Sequence, residues 1–231
     1  MALKVKLSSS YTDYYDSWFD GDGYAWQRYP SSMGRPEMMK QLLDWGFRVP
    51  TYGIARSVIP KAIDTYKTDN LYFIVHTDVY DHSGEGKILV DAPTCLDKHR
   101  NEFVTLFLGN VAASRFYSYK FVKIGNRSFG LKTSGNYWKA EYSDDVVHRV
   151  CCEDMLRTYN DAVPHALYVI DYVHFNGKVH ATSFNSAPIL DAYGLQDRLP
   201  GKQCAELIKD AIEHFRAKSL NYCDSTLQAS S

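Results

Sequence analysis

The clearest periodic stretch in the chain lies late in it, from Tyr168 to Asn185, where YVIDYVHF is followed by Asn176-Gly177 and then by the alternating run KVHATSFN. An Asn-Gly pair accepts the two positive φ angles of a tight turn, so the stretch predicts two antiparallel strands joined as a hairpin. Other apolar runs predict strands at Leu3–Leu7, Phe47–Gly53, Leu71–Tyr80, Phe103–Leu108, Arg115–Ile124 and Ser128–Thr133, with Gly125-Asn126 connecting the last two. Helical spacing appears at Arg35–Gly46, with proline near its start and glycine as its stop. It recurs at Ile54–Tyr66, where Pro60 is expected to limit or kink the helix, and in a short helix opening at Thr94 with Asp97 in its first turn. Two more helices are expected, over Val146–Tyr159 and through Cys204, Leu207, Ile208, Ala211, Ile212 and Phe215. The order of these elements predicts an α+β fold. A small N-terminal α/β part, residues 1–66, precedes an antiparallel-sheet-rich part, residues 67–218, and a polar tail, residues 219–231.

Composition narrows the function classes. The chain has 231 residues, 45% apolar and 23% charged, as expected of a soluble globular protein. With 26 basic and 27 acidic residues there is no electrostatic case for nucleic acid or an anionic membrane as a partner. No window approaches a membrane span, the N-terminus MALKVKLSSSYTD has no long apolar core, and five cysteines without C-x-x-C spacing suggest neither a disulfide framework nor a zinc ribbon. A reducing cytoplasm is the expected location.

Asp171 is the one carboxylate inside the hairpin strands, and burying it needs a cation or a donor; acceptance of local backbone hydrogen bonds is the alternative. The remaining motifs carry less. The D-G-D-G stretch of the loop from Ser8 to Ser32 lacks the closing glutamate of a calcium loop. His180-Ala181-Thr182 has the H-x-T form used by two-histidine phosphodiesterases, but His76-Thr77-Asp78 does not supply the second copy. Cys151-Cys152 has no partner histidine to make a nucleophile.

An Asp-bearing strand, a glycine turn and a second strand ending in N-S-A-P resemble the C-terminal metal-binding hairpin of the ATP-grasp superfamily. The preceding segment FYSYKFVKIGNRSFGLKTSGNYWKAEYSDDV resembles small, often phage-encoded members, and the likeness runs over residues 70–215. The resemblance implies an ATP-dependent carboxylate ligase that forms an amide or related bond through an acylphosphate. ATP and Mg²⁺ would be its cofactors, a small-molecule or peptide carboxylate its substrate, and the host cytoplasm its location if phage-encoded. That chemistry requires hard oxygen ligands for Mg²⁺ and cations that neutralise the transferred phosphate. By position, Asp171 and Asn185 are the expected metal ligands and Lys139, after Trp138, the expected catalytic cation. Lys87, Lys120, Lys123 and Lys132 are the expected phosphate contacts.

One departure stands out: where the family has E-x-N this chain has Ser183-Phe184-Asn185, which removes a negative charge unless Glu141, Asp144 or Asp191 replaces it. The alternative is therefore a catalytically impaired relative that keeps the cleft for a nucleotide or a protein partner. The register of the hairpin bears on the choice. A two-residue turn pairing Phe175 with Lys178 puts Asp171 opposite Thr182, away from Ser183 and Asn185, whereas a three-residue loop with Gly177 as a bulge gathers all three on one face. A metal site requires the second arrangement.

Overall fold

In a computed structural model the chain is described over residues 34–80, 86–124, 127–135, 138–139, 148–149, 163 and 167–185. The expected strand at Leu3–Leu7, the acidic N-terminal loop, the Gly125-Asn126 connection, the C-terminal helix and the Ser186-Ala187-Pro188 end of the hairpin motif lie outside these residues, as do Cys151, Cys152 and the alternative carboxylates Glu141, Asp144 and Asp191.

Helix α1, Arg35–Asp44, begins with Pro36 in its first turn and buries Met38, Met39 and Leu42, which recur along one helical stripe. Gly46, at φ 85°, reverses the chain after it, and the amides of Gly46 and Phe47 donate back to Leu43 and Leu42. The expected strand from Phe47 shortens to β1, Tyr52–Ile54, because Phe47 turns inward as a core residue. Helix α2, Ala55–Tyr66, runs through Pro60 without ending. Pro60 is exposed, as is Arg56, whose carbonyl loses its helical donor on the side where water replaces it. Ala55, Val58, Ile59 and Ala62 make its buried face.

Strands β2, Tyr72–His76, and β3, Lys87–Asp91, lead to α3, Ala92–Lys98. This helix starts two residues earlier than expected because Asp91 caps it, accepting from the Thr94 amide and hydroxyl, both at 2.9 Å. Strand β4, Phe103–Leu106, completes an antiparallel sheet of order β1-β4-β2-β3. The boundary expected after Tyr66 falls between α2 and β2, which share one core around Ile59 and Phe73.

The second sheet, of order β7-β6-β5-β8-β9, contains β5 (Phe116–Ile124), β6 (Arg127–Gly135), β7 (His148–Arg149), β8 (Leu167–Phe175) and β9 (Lys178–Asn185). His148 and Arg149 pair with Lys132 and Leu131 as strand, where the sequence pattern predicts helix; the rest of that expected helix is outside the described residues. A strand beside β6 satisfies an edge that would otherwise present unpaired amides.

The hairpin turn is the two-residue form, with Asn176 at φ 50° and Gly177 at φ 70° and Phe175 opposite Lys178. Pairing proceeds to Tyr172 opposite Ala181 and then to Asp171 opposite Ser183, so Thr182 is an extra residue, a bulge in β9. Its hydroxyl donates to the Asp171 carbonyl at 3.2 Å. The core demands this bulge: Ala181 and Phe184 are both buried and stand three residues apart, a spacing that strict alternation would send to opposite faces. Asp171, Ser183 and Asn185, the last opposite Val169, consequently share one face, without the three-residue loop expected to bring this about.

Strand β8 serves two cores. Tyr168, Ile170 and Tyr172 pack with Phe121, Ala181 and Phe184 and with α1, while Val173 and Phe175 pack against the core formed by α2, α3, β2 and β4. Helix α1 is tied to β9 by the Phe184 amide, which donates to Met38 Sδ at 3.4 Å, and by the edge of Trp45 against Phe184. Ile170, fully buried on an interior strand, is a large contributor: Ile170→Ala is expected to cost about 2–5 kcal/mol in a denaturant titration. The exposed edge-strand variant Ile88→Ala should stay within about 0.5 kcal/mol of wild type.

Candidate functional site

A cleft of about 420 Å³ opens between the two sheets, a volume suited to a small organic ligand. Its walls follow from the topology. Ile74, His76, Lys87 and Thr105 come from the first sheet, the connection from Leu106 to Asn110 forms one end, and Lys120, Asp171, Val173 and Ser183 come from the second. Asp171 is the residue on β8 that precedes Val173 and Phe175 on their face, at the point where packing against the other core gives way to open space.

The expected site residues divide. Lys87, Lys120, Lys139 and Asp171 line the cleft together, and Ser183 lines it beside them. Lys123 and Lys132 are not among the lining residues. Lys123 stands an odd number of positions from Lys120 on β5 and so projects from the other face, and the Lys132 ammonium lies 4.0 Å from the centroid of the Tyr117 ring and 5.7 Å from that of Tyr119. Asn185 shares the face of Asp171 but is exposed at the end of β9 and is not a lining residue. Lys139 sits 5.6 Å from the Trp138 ring centroid, and the Trp138 ring meets Phe107 edge-on, which orients this cation at the cleft wall.

Lys120 makes a different contact from the one expected of it. It lies directly opposite Asp171 on the neighbouring strand, and its ammonium donates to Asp171 Oδ1 at 2.7 Å. Both side chains are largely sheltered, so water screens the pair less than it would at the surface.

Sequence reasoning did not single out Arg35, Arg115 or His76 for this cleft. Arg35 is 3% exposed and occupies the first turn of α1, where a cation opposes the helix dipole; a charge carried at that double cost was the readable signal. Its backbone amide donates to Val79, holding the start of α1 against the end of the first sheet. His76 interrupts the apolar run YFIVH much as Asp171 interrupts YVIDYV. It is buried, its Nε2 is 3.1 Å from Thr105 Oγ1, and its Nδ1 has no partner among the described residues. Burial first, then the charges of Arg35 and Lys87, push its pKa down to about 3, so it is neutral in the folded protein. His180 does not line the cleft, and the Thr182 hydroxyl is spent on the bulge, so the H-x-T reading gains no site. Cys95 is packed in the second core, where burial chiefly pushes its thiol up to about 11, an inert state.

No group of three or more His, Cys, Asp or Glu side chains suited to a metal ion occurs among the described residues. The same residues contain no helix long and apolar enough to cross a membrane. Among the described residues the charged side chains lining the cleft are the cations Arg35, Lys87, Arg115, Lys120 and Lys139 and the carboxylate of Asp171, an arrangement that favours an anionic ligand.

No family model matches the sequence, and no curated protein matches it significantly. Solved structures do match the fold. They include an ADP complex of the N5-carboxyaminoimidazole ribonucleotide synthetase PurK, with TM-score 0.52 and 12% identity over 79% of this chain and 52% of that one. The ATP-grasp ligase PsnB, complexed with a phosphomimetic variant of its minimal precursor, Mg and ADP, matches with TM-score 0.53 and 13% identity over 80% of this chain and 60% of that one. D-alanine–D-alanine ligase from Bacillus anthracis, complexed with ATP, matches with TM-score 0.51 and 11% identity over 81% and 68%. The chain thus has the ATP-grasp fold, which these ATP-dependent ligases share, and spans between half and two thirds of the length of the first two.

The neutral state of His76 sets a pH dependence. An unfolded histidine near pKa 6.5 binds a proton that the folded one refuses until about pH 3, so its contribution is complete above pH 6.5 and is lost as pH falls through that window. Wild-type stability is expected to fall more steeply than that of His76→Gln between pH 6.5 and pH 4.5, by about 1 kcal/mol per pH unit in paired denaturant titrations.

Proposed function

We propose that the cleft binds a nucleoside triphosphate and that the chain acts as an ATP-dependent carboxylate ligase, activating a small-molecule or peptide carboxylate for attack by an amine or thiol. The observation that carries this reading is the gathering of Lys87, Lys120 and Lys139 with Asp171 in one cleft of an ATP-grasp fold. In this role Lys87 and Lys139 approach the phosphates and neutralise charge as the terminal phosphoryl group moves. The Trp138 ring, packed edge-on against Phe107, lies under the Lys139 ammonium.

Magnesium, when bound, would supply charge neutralisation between the phosphates and the incoming carboxylate. Asp171 offers one anionic oxygen ligand, and the amide of Asn185, on the same face, offers a neutral one farther along β9. Among the described residues one carboxylate is a sparse contribution, and it would suit an ion held jointly with phosphate oxygens rather than by a protein cage.

A second reading, a cleft that retains nucleotide or partner binding without turnover, is favoured by one specific observation. The residue paired with Asp171 on β9 is the neutral Ser183, so no second carboxylate faces the first from that strand. Both readings predict nucleotide binding, and turnover separates them. With ATP, Mg²⁺ and a panel of carboxylates, hydroxylamine should trap an acyl hydroxamate with matching ADP release; ATP binding without either product supports the second reading. If the ligase reading holds, Lys139→Met is expected to lower turnover by about 100-fold. Lys132→Met, outside the cleft, should change it less than about twofold.

A further inference from the structure

Arg115 immediately precedes β5 and lines the cleft. An exposed arginine ordinarily keeps most of its rotamer freedom. This one is held: its Nε donates at 3.1 Å to Oγ of Ser134 on the neighbouring strand β6, and Ser134 is only 3% exposed. The serine fixes one edge of the guanidinium. The other edge, with Nη1 and Nη2, has no hydrogen-bond or ion-pair partner among the described residues. Asp171, the one carboxylate among the described lining residues, is paired with Lys120 instead. A planar edge with two parallel N–H groups matches the two oxygens of a carboxylate, which a lone ammonium cannot do.

The same cleft has an aromatic wall. Phe116, the residue after Arg115, and Trp138 stand beside Phe107, their ring centroids 6.3 and 6.2 Å from its own, and all three line the cleft. A Cβ at Gly109 would meet the Phe107 ring at 2.6 Å, so glycine there is what lets the ring sit where it does.

We propose that Arg115, oriented by Ser134, is the anchor for the carboxylate of an acid with an aromatic or other apolar body. The guanidinium takes the two carboxylate oxygens, and Phe107, Phe116 and Trp138 cover the body. That this acid is the one activated rests on the ligase reading; the anchoring rests on the held guanidinium and the aromatic wall of the same cleft.

Ligand-observed NMR titrations of the full chain with 3-phenylpropionate, its neutral amide and acetate test the anchor. Wild type is expected to bind 3-phenylpropionate at least about tenfold more tightly than either the amide or acetate. Arg115→Gln should weaken 3-phenylpropionate at least about tenfold, to the level of the amide, while changing ADP affinity by less than about twofold. Ser134→Ala keeps the charge and removes its orientation, and should weaken the acid by about threefold. Arg115→Lys should fall between wild type and Arg115→Gln. Equal affinity of wild type and Arg115→Gln for 3-phenylpropionate overturns the anchor, as does absence of binding to wild type. Acetate binding as tightly as 3-phenylpropionate overturns the apolar body. If Arg115→Gln weakens ADP or inorganic phosphate and spares the acid, Arg115 serves a phosphate and the proposal fails. Failure of ADP to bind under any condition sinks the nucleotide reading and leaves the acid titrations to decide the anchor.

Discussion

Everything in this structure hangs on β8, an interior strand that has to bury both of its faces. Tyr168, Ile170 and Tyr172 go into the core beneath α1, and Val173 and Phe175 go into the core of the other sheet. One strand thus joins two cores, each side chain contributing about 1.5–3 kcal/mol when fully buried. The cleft opens where that second contact thins, lined on this face of β8 by Val173 and Asp171. The position of Asp171 follows from alternation along a strand whose neighbours leave it no freedom to slip.

The bulge at Thr182 expresses the same constraint on the partner strand. The Asn176-Gly177 turn fixes the start of the register, and the burial of Ala181 and Phe184 fixes its end. These two demands disagree by one residue, and β9 absorbs the difference by letting Thr182 stand out of the ladder and donate to the Asp171 carbonyl. The bulge carries Ser183 and Asn185 onto the face of Asp171. A packing requirement and a site requirement are met by one irregularity, placed where strands beside functional sites often carry one.

Electrostatically, the described residues of the cleft are one carboxylate among several cations and a histidine kept neutral by burial and by Arg35 and Lys87. Such an excess costs stability in an empty cleft, and an anionic ligand offsets that cost on binding. The Lys120–Asp171 pair neutralises that carboxylate within the cleft. Ser183, paired with Asp171 on β9, adds no charge beside it.

The amino-acid sequence determined the hairpin, the stripe of α1, most strands and the α+β class, because each depends on spacing within a few residues of its own position, whereas the structure chose the two-residue turn over the three-residue one. Asp171 was legible as a carboxylate in a costly setting, Lys87, Lys120 and Lys139 only through the family resemblance, and the odd spacing of Ala181 and Phe184 encoded the bulge in principle. Only the tertiary structure decided which of these meet. It put Lys120 on Asp171, left Lys123 and Lys132 out of the cleft's lining, and brought Arg35 and His76 into it from elements far apart in the chain. The reason is physical. Alternation assigns a side chain to a face, but whether that face meets a core, a cleft or water depends on how two sheets pack, and no local pattern carries that information.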